Sequence, residues 1–179
     1  VTSGRYLGPL LAVALMSLTL NLTMYGGMYA FPLILSEASS PATTPSVVTL
    51  MRQSFVAMAS APLAFLVGTC LSRRRALLLS LGVLIACTAL LGVLAGVRPP
   101  RGAAQEAAFQ LLMAFNPVGI LIGFTIMYQV SVEIFPPHAV TTGASLIVAI
   151  GRLGACSAAL VFEGMQSLFG VWQAFIVLL

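Results

Sequence analysis

Six long runs of apolar residues fill most of the sequence, and short connections rich in Pro, Ser, Thr and Arg separate them. The runs cover residues 7–35, 47–71, 76–97, 107–132, 143–162 and 168–179. The first five reach the length, about 20 residues, that a helix needs to cross a bilayer core. Only 7% of the residues are charged, whereas soluble domains carry about a quarter. The sequence therefore predicts an integral membrane protein that crosses the lipid bilayer several times.

The spans are expected to be helices, so the predicted fold class is all-α. Lipid offers no hydrogen-bond partners to the backbone, and a helix satisfies its own N–H and C=O groups. A membrane β-barrel would need alternating apolar and polar residues in runs of about ten, and this pattern does not occur in the sequence. The run 168–179 is shorter than the roughly 17 residues that a span requires. It is either interfacial or a truncated helix; we favour truncation, and a chain that begins with Val and lacks a signal peptide is expected to be a fragment.

Three places inside the spans carry residues that interrupt helices. These are Gly26-Gly27, Pro62 and Asn116-Pro117. Paired glycines and prolines kink helices, and in transporters such breaks let the two halves of a helix move or line a cavity. The other interpretation is that these residues only pack against neighbouring helices. For Pro62, packing and a functional kink are equally good interpretations.

The arginines give an orientation. Arg5 and the triplet Arg73 to Arg75 lie on one side of the predicted spans. Arg98 and Arg101 lie on the other side, together with Arg52, about a turn inside the second run. The positive-inside rule therefore places the triplet in the cytoplasm. The basic residues are too few and too dispersed for a nucleic-acid surface, so no nucleic-acid partner is expected.

No set of residues in the sequence resembles a catalytic or metal site. Cys70, Cys87 and Cys156 are far apart and match neither a disulfide framework nor a zinc spacing. There is no phosphate-binding glycine loop and no nucleophile with an adjacent base. We therefore expect a protein that is not an enzyme, with no catalytic residues, no metal ligands and no cofactor.

Arg152 is a lone arginine near the middle of the run 143–162, without an acidic neighbour in sequence. Ionisable side chains inside a membrane are expensive and are usually retained for a pathway, a partner or a ligand. A guanidinium stays charged and binds carboxylate, sulfate or phosphate with two hydrogen bonds. Arg152 is therefore a candidate contact for the anionic group of a substrate. The alternative is an arginine that packs against carbonyls or pairs with an acid outside this sequence.

Five further polar side chains stand in apolar helices and are candidates for lining a substrate cavity. They are Asn21, Tyr25, Gln53, Tyr128 and Gln129. Buried polar groups need partners, so each could instead bridge two helices. All four glutamates lie at or near the ends of runs. Glu133, at the edge of a loop, is interpreted as a gate or latch residue.

Three motifs occur in order along the sequence: Tyr25-Gly26, then Arg73 to Arg75, then Glu133-Ile134-Phe135-Pro136 followed by Gly143 and Arg152-Leu153-Gly154. Their spacing resembles the major facilitator superfamily of transporters, and most closely its organic-ion and synaptic-vesicle-protein-related subgroups. The stretch from Glu133 to Gly154 is similar to the segment that joins the tenth and eleventh helices of that family. Tyr25-Gly26 resembles a pair in the seventh helix, and the arginine triplet resembles the basic loop between the eighth and ninth. The matching positions are Tyr128, Glu133-Ile134-Phe135-Pro136, Gly143, Arg152-Leu153-Gly154, Tyr25-Gly26 and Arg73-Arg74-Arg75.

This resemblance implies that residues 1–179 are the C-terminal six-helix half of a twelve-helix transporter. The half would be built from two inverted three-helix repeats, with its last helix truncated. It would move a small organic solute, with a preference for organic anions, by alternating access. Arg152 would lie in the substrate cavity, and Glu133 and Arg73 to Arg75 would form a cytoplasmic gate. Its partners would be the small-molecule substrate and the missing N-terminal half, or a second copy of the chain.

The sequence departs from the family pattern at the expected gate. Val140 replaces an arginine that would pair locally with Glu133, and Pro137 replaces a threonine. Gly68, Thr69 and Cys70 stand where an acidic residue usually precedes the basic loop. These departures leave a second possibility open, a transporter-like protein that has lost transport and serves as a receptor or membrane scaffold.

Overall fold

Helices make up the regular structure of the chain. The computed structural model describes residues 4–38, 46–96 and 103–169, and no strand occurs among them. The helices in chain order are α1 (Gly4–Ala38), α2 (Ser46–Ala59), α3 (Ala61–Cys70), α4 (Arg73–Gly96), α5 (Ala103–Glu133) and α6 (Val140–Phe169). The prediction of an all-helical fold is confirmed for these residues.

Five segments in the described part of the chain are long and apolar enough to cross a membrane. They are Tyr6–Ala30, Met51–Cys70, Arg73–Leu94, Ala107–Glu133 and Val140–Leu168. Large apolar side chains such as Phe55, Met58 and Leu160 are exposed on their outer faces, a surface that suits lipid better than water. The five segments correspond to the first five predicted runs. Most of the sixth run, residues 170–179, lies outside the described residues.

The second span is interrupted where the sequence predicts it. Helix α2 ends at Ala59 and α3 begins at Ala61, with Pro62 in the first turn of α3. Proline has no N–H and its ring collides with the carbonyl four residues earlier, but the first turn of a helix tolerates it. At the junction, the Ser60 hydroxyl donates to the carbonyl of Ala57 at 2.7 Å.

Two other predicted interruptions do not end a helix. Helix α1 continues through Gly26-Gly27, and α5 continues through Asn116-Pro117. A proline inside a helix removes one backbone hydrogen bond, and α5 has neighbours on all sides that hold it in place. The residues at these two positions therefore do not end a helix, and the kinks expected there stay a prediction.

The predicted connection at residues 163–167 is also wrong, because α6 continues to Phe169. No proline occurs there, and a distant contact supports the helix. The hydroxyl of Tyr29 donates to Oε1 of Glu163 at 2.8 Å. The ring of Tyr29 also packs edge-on against the buried Phe162, with 5.5 Å between ring centroids.

Helix α5 occupies the centre and touches each of the other five helices. On one side, α1 and α6 pack on it around Leu20, Met127 and Ile147. On the other side, Ala64 of α3 and Ala76 of α4 pack against neighbouring residues of α5. The core is thus divided into two clusters that share the central helix.

Helices α1 and α6 run parallel and pack very closely. The buried face of α6 recurs every third or fourth residue and carries small side chains at its middle. A Cβ atom on Gly151 would lie 2.7 Å from Nδ2 of Asn21, and one on Gly154 would overlap the carbonyl oxygen of Leu18. Glycine at these two positions lets the backbones meet.

Contacts between neighbouring helices define two ends of the molecule. Arg73 at the start of α4 meets Glu133 at the end of α5, and Phe135 between α5 and α6 covers Gly143. We call this the arginine end. Tyr29 and Glu163 meet at the opposite end.

Candidate functional site

A cavity of about 510 Å³ lies between α1, α2, α5 and α6. Its lining is mostly apolar, with Met24, Met28 and Leu121 among the contributing residues. Five of the six candidates from the sequence line it: Asn21, Tyr25, Gln53, Tyr128 and Arg152. The sixth, Gln129, does not; its Oε1 accepts a hydrogen bond from Arg73 at the arginine end. The structure therefore brings these five together, and substrate binding by them stays a prediction.

Arg152 enters the cavity from the middle of α6. It follows Gly151, which packs against α1, so its own side chain leaves the helix beside that contact. Arg152 is exposed, and the described residues offer its guanidinium neither a hydrogen bond nor an ion pair. The alternative in which carbonyls of this chain hold the arginine is thus not observed within the described ranges.

Asn21 and Tyr25 enter from α1, one turn apart. Asn21 is buried, and its Nδ2 donates to the carbonyl of Ser17 at 2.8 Å. This bond fixes the amide orientation, since a carbonyl accepts only from the NH2 group. Tyr25 is about one-third exposed.

The opposite wall comes from α2 and α5. Gln53 stands on α2, in the part of the second span that precedes the break at Ser60. Tyr128 on α5 stacks on Phe124, with 6.1 Å between ring centroids and 22° between ring planes. These two aromatic rings give this side of the cavity a flat apolar surface with a phenolic hydroxyl at its edge.

Asn116 is a cavity residue that sequence reasoning missed. It lines the cavity with Pro117, and its side chain is only 3% exposed. Its Nδ2 donates to Oγ1 of Thr88 at 3.0 Å, and Thr88 in turn donates to the carbonyl of Leu84 at 2.7 Å. The sequence treats Asn116-Pro117 as a helix breaker. An amide within an apolar run was the available signal, and it is the same signal that identified Asn21.

At the arginine end, the structure joins two of the four residues predicted to form a gate. Arg73 and Glu133 form an ion pair with 2.6 Å between Nη2 and Oε1, and Nε of Arg73 lies 3.1 Å from Oε2. Arg73 also donates to Oε1 of Gln129 at 3.0 Å and to the carbonyl of Gly68. Arg74 and Arg75 are exposed and make no such contact with the described residues.

This ion pair changes the interpretation of Val140. The sequence predicts that Glu133 lacks its local partner, because Val140 stands in the place of an arginine. The structure supplies Arg73, which is distant in sequence and arrives from the start of α4. Glu133 is thus paired through the helix arrangement and not through its own loop.

The turn between α5 and α6 has a defined geometry. The backbone N–H groups of Ala139 and Val140 both donate to the carbonyl of Pro136, at 2.8 and 3.1 Å. Phe135 is buried, and its ring lies where a Cβ atom on Gly143 would be. The spacing of Phe135, Pro136 and Gly143, which carries part of the family resemblance, therefore corresponds to one packed turn.

The described residues contain no group of three or more His, Cys, Asp or Glu side chains that could hold a metal ion. Cys70, Cys87 and Cys156 are free thiols. The polar side chains that line the cavity therefore supply one guanidinium, three amides, two phenols and the hydroxyl of Ser54. No family model, curated protein or solved structure matches this chain, so its resemblance to major facilitator transporters rests on the residues named above.

Proposed function

We propose that the chain is part of a secondary or facilitative transporter that moves a small organic anion across a membrane by alternating access. The observation that carries the proposal is the guanidinium of Arg152, which lines a cavity at the middle of a spanning helix and has no partner among the described residues. Four of the five other polar residues selected from the sequence line the same cavity.

The charge of Arg152 favours an anion as the substrate. An arginine at bilayer depth is costly, and the cost is offset when an anionic group forms charge-assisted hydrogen bonds with it. The remaining lining is mostly apolar, with the stacked rings of Phe124 and Tyr128 on one side. An organic body can pack against this surface, whereas a small inorganic anion would leave it uncovered.

The proposed architecture is the C-terminal six-helix half of a major facilitator transporter. The helices α1 to α4 would form one three-helix repeat, with α2 and α3 counted as a single span. The helices α5 and α6 would belong to the inverted second repeat. In such folds the substrate site lies near the bilayer midplane between two halves. The other half would be an N-terminal bundle or a second copy of this chain.

The ion pair between Arg73 and Glu133 is proposed as part of the cytoplasmic gate. It joins the start of α4 to the end of α5, and Gln129 and the carbonyl of Gly68 also accept hydrogen bonds from Arg73. A gate of this kind stabilises one conformation and must rearrange in the other. Glu133 retains a charged partner despite Val140, which supports a working gate.

The test is uptake of radiolabelled 3-phenylpropionate by cells that express the full-length protein. We expect uptake above the level of control cells, and loss of that uptake in Arg152→Ala and Arg152→Lys, because lysine cannot form the two parallel hydrogen bonds of a guanidinium. Surface biotinylation should show unchanged amounts of protein. The matched control is Arg52→Ala, an arginine near the start of the second span and not among the cavity-lining residues.

A transport-inactive receptor or scaffold is the second candidate, and the departures at Pro137, Val140 and residues 68–70 favour it. Binding of 3-phenylpropionate that depends on Arg152 but is not followed by uptake would favour this candidate. Uptake that survives in Arg152→Ala would contradict the role given to the arginine.

A further inference from the structure

Two buried asparagines line the cavity, and each has its amide orientation fixed by a hydrogen bond into the protein. For Asn116 the argument runs through Thr88, whose single hydroxyl hydrogen goes to the carbonyl of Leu84. Thr88 can therefore only accept from Asn116, so the group that faces it is the NH2. Asn21 likewise turns its NH2 towards the carbonyl of Ser17.

This orientation leaves two carboxamide oxygens without a partner. Within the described residues, Oδ1 of Asn116 and Oδ1 of Asn21 receive no hydrogen bond, although the two residues are only 3% and 8% exposed. Both line the cavity. A buried acceptor without a hydrogen bond is energetically unfavourable. A molecule in the cavity that donates a hydrogen bond to these oxygens would therefore be stabilised.

Pro117 strengthens the excess of acceptors on the same turn of α5. It has no N–H, so the carbonyl of Met113 lacks the donor that an uninterrupted helix would supply. Pro117 and Asn116 are adjacent and both line the cavity. Met113 is 1% exposed and does not line the cavity, so the acceptor that this turn offers to a ligand is Oδ1 of Asn116.

We infer that the substrate is an organic anion that also carries an O–H or N–H donor, and that Asn116 selects for that donor. The inference rests on the proposed function, because it takes Arg152 as the contact for the anionic group. Water can satisfy Oδ1 of Asn116 when the cavity is empty. A ligand that displaces this water without replacing its hydrogen bond loses affinity.

The experiment measures binding of three carboxylates to the purified full-length protein by isothermal titration calorimetry. The probes are 3-phenylpropionate, 2-hydroxy-3-phenylpropionate and 2-methoxy-3-phenylpropionate. They share a charge and a ring, and the hydroxy acid alone among them has a donor. We expect the hydroxy acid to bind roughly tenfold more tightly than the other two, the effect of leaving one buried acceptor unsatisfied.

Single-residue variants test whether Asn116 causes the preference for the hydroxy acid. Asn116→Ala should reduce the affinity ratio between the hydroxy and methoxy acids to about one, since the acceptor is gone. Thr88→Val should reduce the ratio partially, because the amide is then free to turn. Ser80→Ala is the matched control. The Ser80 hydroxyl is buried on α4, the helix that carries Thr88, and it donates to the carbonyl of Leu77. Ser80 does not line the cavity.

The outcomes separate this inference from the proposed function. If all three acids bind equally and this binding is lost in Arg152→Ala, the donor preference is overturned. The role of Arg152 as the contact for the anionic group is then supported. Absence of Arg152-dependent binding for every probe overturns both. A preference that persists unchanged in Asn116→Ala and Thr88→Val overturns the assignment to Asn116. If Asn116→Ala does not fold, the three acids on the wild-type protein still test the donor preference, and Thr88→Val still tests its assignment to Asn116.

Discussion

Gly154 marks the place where α6 comes closest to α1. A Cβ atom there would overlap the carbonyl oxygen of Leu18 and lie 3.2 Å from its carbonyl carbon. The neighbour is backbone and cannot turn aside as a flexible side chain would. The contact therefore requires glycine at position 154, because a side chain there has no space.

Gly154→Ala should destabilise the protein by about 1–3 kcal/mol, the usual range for an inserted methyl group in a packed core. The matched control is Gly164→Ala in the same helix, where a Cβ atom would meet nothing within 4 Å. That control should be neutral or slightly stabilising, because glycine costs a helix interior about 0.5–1 kcal/mol relative to alanine. Thermal unfolding in detergent measures both, and equal melting temperatures would contradict the tight contact.

The cavity residues show how far single residues can be predicted from sequence. Asn21, Tyr25, Gln53, Tyr128 and Arg152 stand out because a polar group in an apolar run needs a reason. Asn116 meets the same criterion, but the adjacent Pro117 suggested only a change in the backbone. Its hydrogen bond to Thr88 joins two helices, and no local pattern in the sequence reveals such a pairing.

Among the helices, the interruption of the second span is the feature that local chemistry predicts best. Pro62 removes a backbone hydrogen-bond donor, and α3 begins beside it. The connection at residues 163–167 was predicted wrongly, because α6 is maintained there by a contact with another helix. Glu163 accepts a hydrogen bond from Tyr29 on α1, a partner that becomes adjacent only after α1 and α6 have packed.

The junction between α3, α4 and α5 can be tested by a double-mutant cycle on Arg73 and Glu133. Arg73→Gln and Glu133→Gln should each lower the melting temperature, and the double variant should lower it by less than the sum, since the pair is shared. Salt should weaken the coupling, because both side chains are partly exposed. Arg74→Gln, an exposed neighbour without such a partner in the described part of the chain, is the control. Strict additivity would show that the ion pair is absent in the membrane.

For the molecule as a whole, hydropathy predicts the spans but not their arrangement. The α4 segment has the highest mean hydropathy, 2.6, and is 28% buried within the protein. The α5 segment has a value of 1.8 and is 56% buried. Lipid and protein interior are similarly apolar, so apolarity does not decide which helix is central. Helix packing decides it, and a single sequence does not specify that packing by composition.

The distribution of arginines predicts how the molecule is oriented in a membrane. With the arginine end in the cytoplasm, His138→Cys lies inside the cell and Ser167→Cys lies near the outer surface. Both positions are exposed. In a variant with Cys70, Cys87 and Cys156 replaced by alanine, a membrane-impermeant maleimide should label Ser167→Cys in intact cells. It should label His138→Cys only after permeabilisation, and the reverse pattern would mean the opposite orientation.

The contact of backbone on backbone between α1 and α6 couples the motions of two cavity residues. The carbonyl of Leu18 occupies the space that the missing side chain of Gly154 leaves. If either helix slid along the other, this carbonyl would collide with a side chain of α6. The two helices are therefore expected to move as a unit. Asn21 and Arg152 lie on this unit and keep their separation. Gln53 lies on α2, outside this unit. A ligand that contacts both walls would therefore link a rigid pair of helices, which carries the charge, to a separate helix, which carries an amide.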